Sequence, residues 1–260
     1  MFNKIGKYSF KVISNATEVR VLAVGGGGGG ANGISGGGGS GYVTVDKVDV
    51  KQGELFEVFV GGGGKGGDQV QNTNLIKGNT NGYTSKFGES VVAEGGKSVY
   101  PITGQWQDAF NENGGDGGSG GGASGYQCLQ GHGGAEGNNG ADCGSNDARG
   151  EPPIGVGGHG QGKYMSSLTI FKENWFAAGE GGLNTQTDVD NGWGSGGGAG
   201  GIMLNGYGPE AENGGSATYS AEGGKGYGAG GGSGGWDEGT AGIRFTGGNG
   251  ASGLVYIEWD

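Results

Sequence analysis

The sequence predicts a protein of β-strands and irregular structure. We expect a small antiparallel β-sheet, formed by both chain ends, to carry a packed bundle of polyglycine-II helices with long connecting loops. Glycine supplies 75 of the 260 residues, whereas an average protein has about 7 per cent glycine. The apolar residues concentrate near the two ends, with ten of the 17 valines among the first 60 residues. Between the ends, glycine-rich blocks alternate with aromatic-rich segments.

Alternating apolar residues predict the strands of the sheet. In the first strand Tyr8, Phe10 and Val12 fall on one face. The other predicted strands are 18–24, 42–50, 55–60, 91–93 and 254–259. Because the last of them is expected to close the sheet, residues 1–60 and 253–260 together form the predicted β-structured base.

Glycine-rich blocks occupy residues 25–41, 61–67, 114–125, 131–140, 192–201, 223–235 and 247–253. Glycine often recurs in triplets, and a period of three matches the polyproline-II helix, which has no internal hydrogen bonds. Without side chains such helices approach closely, so their N–H and C=O groups bond to neighbouring helices. Residues 61–252 are therefore the predicted bundle, with connecting loops at both of its ends. The alternative is a set of flexible linkers, but linkers are not expected to recur this often between structured ends.

The composition argues against several classes of protein. Four prolines and the lack of a Gly-X-Y repeat exclude collagen. No apolar run has membrane-spanning length, and the N-terminus lacks the apolar core of a signal peptide. A net charge of −11 argues against nucleic acid and anionic membranes as partners. Few large aliphatic residues would indicate disorder, but their concentration at the two ends indicates folded structure.

A series of motifs in the chain resembles a known family. In order they are V-x-V-x-A-V before six glycines, G-G-G-G-S-G-Y-V, V-x-V-G-G-G-G, G-x-x-S-x-F-G, A-x-G-G and G-x-V-x-I-x-W, at residues 19–30, 36–43, 58–64, 82–88, 93–96 and 253–259. This order resembles the glycine-rich domain of bacteriophage tail-fibre and receptor-binding proteins, and is similar to the tip adhesins of T-even-like long tail fibres.

The resemblance implies polyglycine-II packing and a bacterial outer-membrane protein or surface glycan as the receptor. It also implies attachment to a tail fibre or another virion protein. A related module occurs in some animal receptor tyrosine kinases, so the motifs indicate a fold more than a function.

The sequence therefore predicts a phage tail-fibre adhesin that binds a bacterial surface receptor through loops on a polyglycine-II scaffold. We expect it at the fibre tip of a virion, after synthesis in the bacterial host cytoplasm. We expect no enzymatic activity, cofactor, nucleic-acid partner or membrane insertion. One alternative is a virion structural or decoration protein that clamps a fibre or capsid partner. Another is an ice-binding polyglycine protein, against which the long irregular aromatic segments argue.

Aromatic residues between the glycine blocks are the candidate receptor contacts, because Tyr and Trp provide large, rigid and amphipathic contact areas. These candidates are Tyr100, Trp106, Phe110, Tyr164, Phe171, Trp175, Phe176, Trp193, Tyr207 and Trp236. The alternative is that several of them fold back to cover the flanks of the bundle.

Other motifs give weaker indications of chemistry. Zinc-ligand types are present at Cys128, His132, Cys143 and His159, but their spacing fits no familiar zinc finger, and a disulfide or a pair of buried thiols is the alternative. The stretch 95–98 ends in Gly-Lys-Ser, but Val91 replaces the upstream glycine of a P-loop. The glycine pattern at 36–41 leads into a strand and so lacks a phosphate-binding helix terminus. No spacing singles out a pair among the acidic residues Asp108, Asp116, Asp142, Asp147, Asp188, Asp190, Asp237 and Glu238.

Overall fold

The computed structural model describes residues 1–32, 37–71, 78–98, 114–118, 120–121, 175–177, 202–204, 223–224, 226–232, 234, 236–237, 243–244 and 246–259. Within these residues the chain forms β-strands and irregular structure and no helix, which confirms the predicted class. The strands are β1 Gly6–Lys11, β2 Glu18–Val24, β3 Val43–Asp49, β4 Leu55–Val60, β5 Val70–Gln71, β6 Ser85–Phe87, β7 Val91–Ala93, β8 Trp175–Ala177, β9 Ile202–Leu204, β10 Trp236–Asp237, β11 Ile243–Arg244 and β12 Leu254–Glu258.

Two small antiparallel sheets include both chain ends. Sheet A has the strand order β12–β2–β3, and sheet B has the order β1–β4–β6–β7. In sheet A, Val21 pairs with Ile257 on one side and with Asp46 on the other. A bridge between Phe2 and Val255 joins the two chain ends. The predicted antiparallel structure from both ends is confirmed, but the strands divide between two sheets instead of forming one.

The two sheets pack against each other because each carries a row of buried apolar side chains. Sheet A contributes Val19, Val21, Ala23, Val48, Val255 and Ile257, and sheet B contributes Val58, Val60, Phe87, Val91 and Ala93. Alternate residues of a strand point to the same face, so Val19, Val21 and Ala23 of β2 all enter this core. The Phe87 ring stacks on Phe56 with centroids 4.7 Å apart.

The opposite face of sheet A is also apolar. Leu22 and Val24 of β2 form a second buried cluster with Val43 and Leu254, and Tyr227 packs against it. Strand β2 is therefore buried on both faces, which explains its nearly continuous apolar sequence.

Short turns connect β3 to β4 and β6 to β7. Both turns lie at the end of the sandwich formed by sheets A and B that is opposite to the end where β2 finishes at Val24. Gly53 has φ +86° between β3 and β4, and Gly88 has φ +55° between β6 and β7. Both glycines adopt the left-handed conformation, which side chains disfavour. The sequence did not predict β6, whereas β7 was expected at 91–93.

Two smaller antiparallel sheets contain the other strands, in the orders β10–β11–β5 and β8–β9. Strands β6 and β7 complete sheet B although they lie within residues 61–252. The division of the chain into a β-structured base and a glycine-rich bundle stays a prediction.

Candidate functional site

The six glycines at 25–30, directly after β2, donate hydrogen bonds with a period of three. Their N–H groups lie 2.8–3.0 Å from the carbonyl oxygens they contact. Gly25 and Gly28 donate to Tyr42 and Gly39, Gly26 and Gly29 to Tyr83 and Thr80, and Gly27 and Gly30 to Ala251 and Gly248. Because each acceptor number falls by three as the donor number rises by three, all three neighbouring segments are antiparallel to this one.

The carbonyl groups of the same segment accept hydrogen bonds from three further segments. Gly96 donates to Gly26, Gly64 and Gly67 donate to Gly27 and Gly30, and Gly231 and Gly234 donate to Gly28 and Ala31. Two of these neighbours donate twice, one through Gly64 and Gly67 and the other through Gly231 and Gly234. In both, the donor and acceptor numbers rise together, so these two segments run parallel to residues 25–31. This central segment is therefore hydrogen-bonded to six neighbours, and we call the whole assembly the glycine array.

Close approach of the backbones requires glycine throughout the central segment. A Cβ atom added at any residue from 25 to 30 would lie 1.9–2.3 Å from a backbone carbonyl oxygen of a neighbouring segment. For Gly27 the contact is Ala229 O at 2.0 Å, and for Gly29 it is Lys65 O at 1.9 Å. The sequence passes from a buried strand into six glycines because the chain leaves a side-chain core and enters an array without room for side chains.

The strands set the direction of the array. Segments 25–31, 61–67 and 94–98 leave strands β2, β4 and β7, whereas segments 37–42, 78–84 and 246–253 lead into β3, β6 and β12. The first three run away from the sandwich and the second three return to it. One end of the array is therefore continuous with the strands.

The opposite end is marked by hydrogen bonds that join the last residues of several segments. Gly67 donates to Gly30 at 2.9 Å, Gly247 donates to Gly67 at 2.9 Å, and Gly234 donates to Ala31 at 2.9 Å. We call this the loop end, because the segments that run away from the sandwich finish there and the returning segments begin there.

Gly115 and Gly121 also lie at the loop end. Gly121 donates to Gly115 O at 2.9 Å, and Gly115 in turn donates to Gly37 O at 2.8 Å. Gly224 donates to Asn249 O at 2.8 Å. At the strand end, by contrast, residues 226–228 make a tight turn. The expectation of connecting loops at both ends stays a prediction.

Three of the aromatic candidates lie in described strands. Trp236 begins β10, which pairs with β11 beside β5. Trp175 and Phe176 lie in β8, where Trp175 pairs with Leu204 of β9. The other seven, Tyr100, Trp106, Phe110, Tyr164, Phe171, Trp193 and Tyr207, lie outside the described residues. Their role in receptor binding stays a prediction.

Polar side chains replace backbone groups at several positions in the array. Asn249 Oδ1 accepts from Gly66 N–H at 2.8 Å, and Thr80 Oγ1 accepts from Lys65 N–H at 2.8 Å. Ser98 has three such contacts, with Asn79, Asn81 and Gly29 O. None of these residues was predicted from the sequence. Small polar residues beside glycine blocks, like the capping residues of α-helices, are the signal that would have identified them.

Backbone donors of the glycine motifs are already engaged. In the stretch 95–98, Gly96, Lys97 and Ser98 donate to Gly26 O, Asp116 O and Asn81 Oδ1. In the second motif, Gly38, Gly39 and Gly41 donate to Gly231 O, Lys97 O and Gly228 O. These N–H groups therefore bind other parts of the chain, where a phosphate-binding loop would direct them at a ligand.

Metal-binding side chains are not clustered in the described part of the chain. No group of three His, Cys, Asp or Glu residues there is arranged to hold an ion. The zinc-ligand types at Cys128, His132, Cys143 and His159 lie outside it. Most of the acidic residues named above also lie outside the described part. Asp116 is described, and it lies near Tyr42. Burial, followed by the charges of Asp116 and Glu94, raises the pKa of the Tyr42 phenol.

The chain thus combines a small β-sandwich with an array held together by glycine backbones. It belongs to the glycine-rich domain family, whose model matches residues 3–260. No curated protein sequence matches the chain. The described residues include no apolar helix of membrane-spanning length.

Proposed function

We propose that this glycine-rich domain is a bacteriophage tail-fibre adhesin whose loop end faces the bacterial cell. The observation that carries the proposal is the direction of a densely hydrogen-bonded array, whose segments leave the strands, finish together at the loop end and return from it. Loops held by a rigid scaffold are where binding function concentrates. The order of the sequence motifs, which resembles that of tail-fibre proteins, supports the assignment to a phage.

We further infer that the segments of the array are polyglycine-II helices. A helix with three residues per turn directs every third N–H group to the same neighbour, as residues 25–30 do with three neighbours. Backbone chemical shifts measured by NMR test this inference. Dihedral angles near about −75° and +145° are expected for residues 26–30, and fully extended β values there would contradict the inference.

The proposed receptor is an outer-membrane protein or a surface glycan, bound by the aromatic candidates. The proposed action is binding alone, without catalysis or cofactor, and several copies on one virion would strengthen it through avidity. The proposed location is the tip of a tail fibre, and the end of the sandwich away from the array would then face the fibre or another virion protein.

Competition for phage adsorption tests the adhesin proposal. Purified protein is added to a panel of bacterial strains, and its binding by fluorescence is measured together with the blocking of phage adsorption. We expect saturable binding to susceptible strains and a loss of about tenfold or more in affinity for Trp106→Ala or Trp175→Ala, as for an aromatic hot spot. Trp259→Ala is the matched control, because Trp259 is 42% exposed and follows β12 at the opposite end of the sandwich.

A virion structural protein that clamps a fibre or capsid partner is the second candidate. The observation that favours it is a set of exposed apolar side chains where β1 ends, β4 begins and β12 ends, namely Ile13, Leu55 and Trp259. Exposed apolar surface is typical of protein–protein contacts. Folded protein that binds no strain, but binds a virion protein and loses that binding in Trp259→Ala, would overturn the adhesin proposal in favour of the clamp.

A further inference from the structure

One side of the sandwich is closed by bonds between the edge strands of sheets A and B. The edge strands on this side are β3 and β7. The Tyr42 N–H group, directly before β3, donates to Glu94 O at 2.9 Å, and the Thr44 hydroxyl donates to Val92 O at 2.8 Å. The opposite side of the sandwich therefore has β12 and β1 as its edge strands, and we call it the open side.

Strand β1 directs every second residue away from its partner β4. The Val12 N–H group donates to Glu54 O at 2.9 Å, and bonded and non-bonded residues alternate along an antiparallel pair. The N–H and C=O groups of Lys7, Ser9 and Lys11 therefore point outward. No hydrogen bond from another described segment reaches these groups. The edge of β1 thus presents alternating donors and acceptors at the spacing that an added strand requires.

A strand added beside β1 would have two faces with different surroundings. One face would continue the outer face of sheet B, where Lys7, Ser9 and Lys11 are exposed. The other would face sheet A, where the rings of Phe10 and Trp259 have centroids 5.7 Å apart and Trp259 is 42% exposed. Because side chains alternate between the faces of a strand, the segment that fits this edge alternates between polar and apolar residues.

The charge around β1 decides which polar residues fit. The first 17 residues contain three lysines and no acidic residue, whereas the whole chain has a net charge of −11. Lys7 is paired with Glu57, but Lys11 forms no ion pair with a described residue. If a second copy of β1 paired antiparallel about Ser9, Lys7 would face Lys11, and like charges opposite each other destabilise a strand pair. The edge therefore disfavours its own copy and favours an acidic strand.

We propose that the edge of β1 on the open side binds an extended segment of a partner protein, in which acidic residues alternate with apolar ones. The acidic side chains lie opposite Lys7 and Lys11, and the apolar ones lie beside Phe10 and Trp259. Adding a strand to a sheet edge is a recurring mode of peptide recognition, and lysines on an edge also prevent unspecific pairing. In taking the fibre or another virion protein as the source of the segment, the inference rests on the proposed function.

A peptide titration followed by NMR tests the edge without a virion partner. The probe is a synthetic peptide with glutamate and valine at alternate positions, and it is added to the isotope-labelled full chain. We expect saturable shifts of the amide signals of Lys7, Ser9 and Lys11, and weaker binding as salt is added. A peptide with lysine in place of glutamate, and an acidic peptide interrupted by proline, should bind at least about fivefold more weakly.

Ser9→Pro removes the central outward donor of the edge. Proline is accepted on an edge strand where the N–H group faces solvent, so sheet B should remain intact. We expect the acidic peptide to bind at least about fivefold more weakly, the effect of one lost hydrogen bond. Ser9→Ala is the matched control, because it keeps the backbone donor and should bind as the wild type does.

A charge reversal tests the same edge without a change of backbone. Lys11→Glu should weaken binding of the acidic peptide about fivefold and strengthen binding of the lysine peptide. The control is Lys47→Glu, because Lys47 is an exposed lysine of β3, on the closed side. It should change neither affinity. This variant pair keeps the proposal testable even where Ser9→Pro does not fold.

Shifts confined to the β1 edge, with the preference reversed by Lys11→Glu, would support the proposal. The lack of saturable binding, equal binding of the acidic and lysine peptides, or equal effects of Ser9→Ala and Ser9→Pro would overturn it. A concentration-dependent dimer that dissociates in Ser9→Pro would also overturn it, because a second copy would then occupy the edge. If the peptide binds as expected but the wild-type protein binds no bacterial strain, the adhesin proposal fails while the strand-binding edge stands.

Discussion

The β-sandwich and the glycine array exclude water in opposite ways. In the sandwich, side chains such as Phe87 and Val21 fill the space between two sheets. In the array, the central segment has no side chain from residue 25 to residue 30, and neighbouring backbones fill the space directly. Apolar burial stabilises the first region, whereas hydrogen bonds between segments stabilise the second.

This difference determines how each region can be damaged. A core of side chains fails when atoms are removed, because a cavity remains. The array has almost no side-chain atoms to lose, and it fails when a single carbon atom is added. The junction between the two regions lies at Val24 and Gly25. Before it, substitutions that remove side-chain atoms are damaging, and after it, substitutions that add them are.

The largest effect is expected for Gly27→Ala. Its Cβ would lie 2.0 Å from Ala229 O, and backbone on both sides cannot rotate away as a side chain can. Displacement of the segment would break several hydrogen bonds, each contributing about 1 kcal/mol. We expect a loss of more than about 5 kcal/mol, enough to abolish cooperative unfolding in denaturant.

Gly62→Ala is the control for this substitution within the array. Its Cβ would meet the side chain of Ile5 at 3.3 Å, and Ile5 is 63% exposed and can move. The expected change in unfolding free energy is within about 1 kcal/mol. Equal losses in Gly27→Ala and Gly62→Ala would contradict the view that contacts between backbones determine where glycine is required.

Removal of atoms from the sandwich should give the next largest effect. Phe87 is fully buried and stacks on Phe56, so Phe87→Ala should lower the unfolding free energy by about 4 kcal/mol. Phe87→Leu retains much of the volume and should cost less. Urea unfolding followed by circular dichroism measures both. A loss below about 1 kcal/mol for Phe87→Ala would show that the array alone holds the fold together.

The ion pair of Arg20 and Glu258 tests a polar contact in the sandwich. Arg20 Nη2 lies 3.0 Å from Glu258 Oε1, and the Glu258 side chain is 6% exposed. Arg20→Ala would remove this cation from beside the buried carboxylate, at a cost of about 3 kcal/mol. Lys86→Ala is the control, because its partners Glu89 and Glu57 are 88% and 40% exposed and such exposed pairs contribute about 1 kcal/mol or less. Equal losses of thermal stability in Arg20→Ala and Lys86→Ala would contradict the view that burial makes the ion pair of Arg20 and Glu258 the stronger one.

The sequence predicted the sandwich better than the array. Strands such as β2 and β4 were predicted because an apolar run rich in β-branched or aromatic residues between turns is a local property. The three-residue strand β6 was missed because it is too short to show a period. One sheet was predicted, whereas the structure has two. The number of sheets depends on which strands pair, and local sequence patterns do not specify that pairing.

The array shows the limit of sequence reasoning more clearly. A period of three can be seen in the glycine blocks, but it is the same in all of them. It therefore carries no information about which blocks are neighbours. The contact of Gly27 with Ala229 joins residues that are far apart in the sequence, and only the fold brings them together. The same applies to Asn81 and Ser98, whose polar side chains have no distinguishing pattern along the chain.

The smallest expected effect is a difference between the two regions in how acid changes their stability. Backbone hydrogen bonds of the array do not titrate, whereas the outer face of sheet B carries Glu57 between Lys7 and Lys86. The hydrogen bond from Lys7 is the main cause that lowers the pKa of Glu57. A lowered pKa means that the folded state binds this proton less readily than the unfolded state does.

The stabilisation from Glu57 is therefore complete above the ordinary glutamate pKa of about 4.3 and disappears as the pH falls through the lowered value. We expect Glu57→Gln to be slightly less stable than wild type at pH 7, with the difference vanishing in acid. Lys7→Met should remove most of the same pH dependence, because it removes the main cause of the shift. If the difference between wild type and Glu57→Gln stayed constant from pH 7 to pH 3, the carboxylate would contribute through packing instead of charge, and the contrast in acid response between sandwich and array would lose this support.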